Sequence, residues 1–252
     1  MSDEFYNLNL AHVSMYHGLN KSQAEHDAKR IFREGYDWVT GTEAGQNPVQ
    51  GVLRSFAEDY KYKFHTYKSN WIAVRRDIID RGTFKKGGKT VVDNDDYVGR
   101  GHDLNLCFVQ FENDELGEIA IAASHYATRG RPVAGGPYSV NAEDNEKLAE
   151  AIGRMAERKG DGTALFFYGG DQNIPDNKFD TFFGEPLTSI QDQLKKYPGT
   201  GHGPIDVIAS YDGDKRVEPV FVRALNDSTQ FMYTDHFVVE ARYRVRKIRR
   251  GR

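Results

Sequence analysis

The sequence predicts an α/β chain in which two packed β-sheets are flanked by helices. Three observations carry this expectation. Short runs of alternating or wholly apolar residues recur along the chain and outnumber the helical patterns. The helical patterns that do occur are amphipathic and fall between some of those runs, which suits helices laid on the outside of sheets. No internal repeat, low-complexity linker or shift of composition divides the 252 residues, so a single domain over 1–252 is expected.

Taken in order, Leu8 to Met15 reads as a strand and His17 to Asn20 as the loop after it. Asn20 or Ser22 can cap a helix whose Ala24, Ala28, Ile31 and Phe32 share one face, and Gly35 ends it. Asp37 to Thr42 is the next strand. A second helix starts near Pro48, a favourable first-turn residue, and turns Val52, Leu53 and Phe56 inward. From Tyr60 to Glu118 the pattern is mainly β, with Trp71 to Val74 as a buried strand. Asp103 to Glu112 and Glu118 to His125 read as an antiparallel pair joined by a turn over Asn113 to Gly117. A Gly/Pro loop, Arg129 to Pro137, leads to the clearest helix, Ala142 to Lys159, with Leu148, Ile152 and Met155 in one stripe. Ala164 to Tyr168, Ile205 to Ser210, Val220 to Ala224 and Phe237 to Tyr243 supply the last strands.

The bulk properties narrow the function classes. A hydrophobic share of 38% supports one sizeable core, and a net charge of −3 does not announce a nucleic-acid binder. The distribution is less even, because Arg and Lys crowd residues 242–252, read as a basic tail able to add phosphate affinity. The single Cys107 sits in an apolar stretch and has no partner for an intrachain disulfide. No apolar run approaches a membrane span, and Met1-Ser2-Asp3-Glu4 lacks the features of a signal peptide. A cytoplasmic monomer without a membrane partner is the expectation.

Chemistry-bearing residues cluster where probable strands end. Glu43 follows an apolar strand and precedes the small Ala44 and Gly45, although a lone Glu there is commonly a surface charge. Asp171 and Asn173 follow Ala164 to Tyr168, with Gly169 and Gly170 between; an Asx-rich turn is the plainer reading of that pattern. Asp206 is an acid inside an apolar run, a costly placement without a partner, and the imidazole of His236 is the natural one. Asp235 adjoins His236, and His125 ends another apolar strand. Together these residues supply hard oxygen ligands, imidazoles, and a carboxylate beside an amide, the set that metal-assisted attack on a phosphate ester requires.

In their order and context these pieces resemble the endonuclease/exonuclease/phosphatase superfamily, which includes DNase I-like nucleases and inositol polyphosphate 5-phosphatases. Thr42-Glu43 resembles its metal-binding Glu, Trp71 to Arg76 its central strand ending in Arg, and Ser124-His125 its Thr-His pair. Gly170 to Asn173 is similar to its Gly-Asp-X-Asn motif, Ile205 to Ile208 to its Ile-Asp-Tyr-Ile strand, and Thr234 to His236 to its Ser-Asp-His. The resemblance implies a four-layer α/β/β/α sandwich of two mainly antiparallel sheets. It implies Glu43 and Asp235 as ligands of Mg²⁺ or Mn²⁺, Asp171 orienting the nucleophile, and Asn173 and His125 on the phosphate. His236, paired with Asp206, would be general base or transition-state stabiliser, and Arg76, Arg129 and Arg131 would meet phosphate. One departure is that Ser14 occupies the place where the family has Asn in its first strand, unless His12 compensates.

Nucleic acid, DNA first, is the expected substrate; Lys85, Lys86 and Lys89 in a glycine-bearing loop and the basic tail point the same way. A small-molecule phosphomonoesterase or phosphodiesterase, or a catalytically weak nucleic-acid-binding module, are the alternatives.

Overall fold

The computed structural model describes residues 4–15, 18–45, 48–93, 103–126, 139–160, 164–173, 187–196, 206–225 and 232–248. The chain opens with β1 (Phe5–Ser14), α1 (Lys21–Arg33), β2 (Trp38–Thr42), α2 (Val49–Asp59), β3 (Tyr62–Tyr67) and β4 (Asn70–Arg75). A 3-10 turn (Arg76–Ile78) leads to β5 (Lys85–Val92), β6 (Leu104–Asn113) and β7 (Gly117–His125). Then follow α3 (Ser139–Gly160), β8 (Leu165–Asp171), β9 (Thr188–Ser189), α4 (Ile190–Leu194), β10 (Asp206–Tyr211), β11 (Val217–Leu225) and β12 (Val238–Arg246).

Local chemistry accounts for the boundaries. Asn20 caps α1 by accepting from the amide of Gln23, while the Gln23 side chain accepts from the Asn20 amide. The helix buries Ala24, Ala28, Ile31 and Phe32, and Gly35 follows it with a φ of +71°. On β1, Leu8 and Leu10 face one side of the sheet while Ala11 and Val13 face the other, as the period of two requires.

Two six-stranded sheets result, in the orders β11-β12-β1-β2-β4-β3 and β5-β6-β7-β8-β10-β9. Each is antiparallel except for one parallel pair, β1 with β2 and β7 with β8. Three separate cores define four layers. Leu8, Leu10, Trp38, Ile121, Phe167 and Tyr243 fill the space between the sheets. Ala28, Phe32, Leu53 and Trp71 join the first sheet to α1 and α2, and Leu148, Ile152, Phe166 and Val207 join the second to α3. The architecture is an α/β/β/α sandwich. No described helix is long and apolar enough to cross a membrane.

Two expectations change. The segment with Lys85, Lys86 and Lys89 is not a loop but the edge strand β5, where Gly87 and Gly88 lie against the rings of Phe108 and Tyr67 with no room for a Cβ. Lysines on an edge strand discourage pairing with another chain, which explains them without a ligand. The basic stretch also begins in a strand rather than a tail. Arg242, Arg244 and Arg246 alternate with the buried Tyr243 and Val245 on β12, and 249–252 lie outside the described residues.

Trp38 is the largest side chain between the sheets and meets Phe167 of the opposite sheet edge-on, with ring centroids 4.9 Å apart. Replacing Trp38 with Ala should cost about 3–5 kcal/mol in urea unfolding, the range for a large core aromatic. A loss below about 1 kcal/mol would mean that this seam does not hold the sheets together.

Candidate active site

The parallel pairs and their neighbours bring one set of strand ends together. Register aligns His125, Asp171 and Asp206 in a row across β7, β8 and β10. The same end of the first sheet carries Ser14, Thr42 and Glu43, and β12 begins there just after His236.

On one side, Glu43 Oε1 and Asp171 Oδ2 each lie 3.5 Å from His125 Nε2. Asn173 Nδ2 donates to the Tyr126 carbonyl at 2.8 Å and lies 2.7 Å from the same His125 nitrogen. The donation to a carbonyl fixes which end of the amide is the donor, so His125 Nε2 is an acceptor. Three acceptor atoms therefore converge, and all lie within 4.8 Å of one another. A donor set of two carboxylates and one imidazole suits a divalent metal, which would take His125 Nε2 in place of its bond from Asn173. Asp235, the other expected ligand, is exposed and belongs to no such cluster among the described residues. Glu43 and Asn173 adopt φ of +59° and +50°, left-handed conformations that cost a Glu more than an Asn.

On the other side, His236 Nδ1 lies 2.7 Å from Asp206 Oδ2, and its Nε2 lies 3.9 Å from Asp171 Oδ2. Burial alone would push the Asp206 carboxyl up, but hydrogen bonds from His12 and His236 outweigh it and hold the group below the usual carboxylate range. Asp171 moves the other way, raised by burial and then by the Asp206 charge. For His236, burial favours the neutral ring, yet the hydrogen bond and charge of Asp206 prevail and raise it to about 9.

Two positioning groups emerge, His12, raised from the sequence only as a compensating residue, and Asp27, which was not anticipated. His12 is fully buried beside Asp206, whereas Ser14 accepts a 2.8 Å hydrogen bond from Thr42 Oγ1 and does not touch Asp206 among its described contacts. The first-strand position facing the site is thus His12, two residues before the expected Ser14. Asp27, buried on the apolar face of α1, accepts from the amides of Tyr233 and Thr234 at 2.8–3.0 Å. Thr234 Oγ1 in turn donates to the Ser14 carbonyl at 2.7 Å. A carboxylate inside an otherwise apolar stripe was the available signal for Asp27. Arg76, by contrast, is not in the site. It follows the far end of β4, because β4 runs antiparallel to β2, and its Nε donates to the Tyr62 carbonyl at 3.3 Å. Arg129 and Arg131 lie outside the described residues.

Solved structures share this fold. An endonuclease/exonuclease/phosphatase protein from Bacteroides vulgatus superposes with a TM-score of 0.70 at 14% identity, covering 95% of this chain and 99% of that one. The chain has the endonuclease/exonuclease/phosphatase fold. The same fold is seen in a mannosyl-6-phosphatase from Bacteroides thetaiotaomicron, with a TM-score of 0.69, 14% identity and coverage of 94% and 99%. It is seen again in D. rerio TDP2 complexed with a single-strand DNA product, at 0.65, 12% identity and coverage of 94% and 98%. At the level of sequence no family model and no curated protein matches.

Two outcomes follow from this geometry. Asp27→Ala removes the acceptor for two buried amides, so it should cost roughly 1–3 kcal/mol. Hydrogen exchange should rise at Tyr233 and Thr234 before it rises in the strands, and unchanged exchange there would remove Asp27 as an anchor. The raised His236 has a second consequence. An unfolded histidine titrates near ~6.5, so its pairing stabilises the fold fully below that pH and is lost as pH rises through about 9. In EDTA, the melting temperature of the wild type should fall relative to His236→Gln between pH 7 and 9.5. Parallel curves would contradict the pairing.

Proposed function

We propose that this chain is a divalent-metal-dependent hydrolase of phosphodiester bonds, a nuclease acting on DNA. The observation that supports it most is the convergence of Glu43, His125 and Asp171 on one side of a cleft whose other side is the Asp206–His236 pair. Glu43 and Asp171, with His125, would hold Mg²⁺ or Mn²⁺, and Asp235 would complete the ligands through its place beside His236. The cation, when bound, supplies charge to the phosphoryl oxygens and acidifies water.

The protein's own groups have separable parts in this reading. Asp171 orients the attacking water and accepts its proton as the new O–P bond forms. The Asn173 amide, anchored on the Tyr126 carbonyl, would turn its second N–H from His125 Nε2 to a phosphoryl oxygen. His236, held at Nδ1 by Asp206, presents Nε2 to the charge that grows on the phosphorane oxygens as the bond to the leaving oxygen breaks. A single domain over 1–252 carries all of these residues.

DNA is the preferred substrate in this reading because a neighbour of the same fold was solved with a single-strand DNA product. The mannosyl-6-phosphatase neighbour favours a second reading, a small-molecule phosphomonoesterase. Nicking of supercoiled plasmid, measured beside phosphate release from soluble sugar phosphates, separates the two. Cleavage should vanish in EDTA and return with Mg²⁺ or Mn²⁺. His236→Ala should lower single-turnover cleavage ~100- to 10,000-fold while leaving the fold intact, with Asp206→Asn costing less. Wild-type cleavage by a folded His236→Ala protein would remove the proposal.

A further inference from the structure

We infer that His12 is a positioning residue that biases the plane of the Asp206 carboxylate and, through it, the aim of His236. The inference rests on the hydrolase reading of the site. It starts from the alternation of β1. Leu8 and Leu10 point into the space between the sheets, and the next positions with the same parity are His12 and Ser14. An imidazole thus enters the sandwich just where the apolar filling stops and the catalytic row begins. It has room because the residue opposite is Gly169, where a Cβ would collide with the Thr40 hydroxyl and press on His12 Nδ1.

The contacts of the ring are those of a connector. His12 Nε2 lies 3.4 Å from Asp206 Oδ1, and the other oxygen of that carboxylate lies 2.7 Å from His236 Nδ1. Nδ1 of His12 lies 3.0 Å from Thr40 Oγ1. Because the Thr40 hydroxyl donates to the Ala11 carbonyl at 3.3 Å, its oxygen accepts from His12 Nδ1, and the contact of Nε2 with Asp206 is an ion pair of the ring's protonated form. Both histidines and Asp206 are buried, His12 and Asp206 completely. With one oxygen held, an Asp carboxylate still turns about its broad terminal torsion. Oδ1 faces His12 Nε2 at 3.4 Å without a hydrogen bond of normal geometry, a charge contact that biases this torsion while His236 bonds the other oxygen. The longer His12 contact suits orientation, while the shorter His236 contact carries the stronger bond.

A ring present only for packing predicts something different, and three variants separate the cases. His12→Phe keeps the bulk without the N–H, His12→Gln places an amide N–H near the position of Nε2, and His12→Ala removes both. The probes are bis(p-nitrophenyl) phosphate with Mn²⁺, circular dichroism for folding, and the ¹⁵N-resolved resonance of the His236 Nδ1 proton in metal-free protein. A group that orients a functional side chain by contacting it from behind typically contributes ~10- to 100-fold. His12→Phe and His12→Ala should therefore lose about that much kcat with KM within about twofold, and both should shift or broaden the His236 resonance. His12→Gln should recover most of kcat and the resonance. Equal activity of folded Phe and Gln variants, or an unshifted resonance in both, overturns the inference. If the wild type turns over no phosphoester at all, the hydrolase reading fails, and the resonance still decides whether His12 orients the Asp206–His236 pair.

Discussion

A carboxylate sealed from water governs this structure. Asp206 begins β10 with no exposure, and an isolated charge there would cost several kcal/mol. It is tolerated because imidazoles reach it from two other parts of the chain, His12 on the opposite sheet and His236 on the turn before β12. Meeting that demand fixes the distance between the sheets at this end and ties the last strand to the first. The arrangement also sets two neighbouring acids apart. Asp206 is held ionised by its donors, while burial first and then the Asp206 charge raise Asp171, the next residue across the row.

The site lies at one end of the sandwich for a topological reason. Each sheet contains one parallel pair, so β1 with β2 and β7 with β8 finish at the same edge, and their antiparallel neighbours β10 and β12 start there. Side chains after the strands can then converge without long loops. Glu43 and Asn173 at this edge adopt left-handed backbones, a conformation that Lys61, Lys68, Lys195 and Lys215 share in turns. Behind them lies a rigid frame. The Thr234 to His236 turn is pinned by Asp27 from α1 and by the Ser14 carbonyl, so a helix on the outer layer helps to place a group in the central cleft.

Elements and most of the cleft were legible in the sequence because burial follows period. The inward stripe of α1, the pair β6 and β7, and the apolar β8 each repeat at the spacing their structure needs. Asp206 was legible for the same reason in reverse, as an acid that breaks an apolar run. Three features were not. The lysines of β5 looked like a loop because Gly87 and Gly88 are rare inside strands, yet both glycines answer to aromatic rings on neighbouring strands. Ser14 was preferred over His12 because motif alignment does not reveal which of two same-face residues reaches the partner sheet; that depends on the absent side chain at Gly169. Arg76 was placed by its rank after β4, while the direction of β4 carries it to the opposite end of the sheet.

The arginines of β12 show how a charge pattern changes meaning once its strand is known. On paper they look like phosphate-binding residues. In the fold, Arg244 pairs with Glu218 and lies 4.8 Å from the centre of the Phe5 ring, while Arg246 lies near Glu4. Arg242 covers the Phe221 ring at 5.3 Å, and Arg223 on the adjacent strand pairs with Glu240. The positive charges of this face are thus largely matched by carboxylates or spent on aromatic faces that β11, β12 and β1 would otherwise leave to water. Such a surface holds the outer edge of the first sheet together and exerts little long-range pull on a polyanion. In the proposed reading, affinity for a phosphate-bearing substrate would then arise mainly at the site itself, where Asn173 and His236 would meet the scissile group.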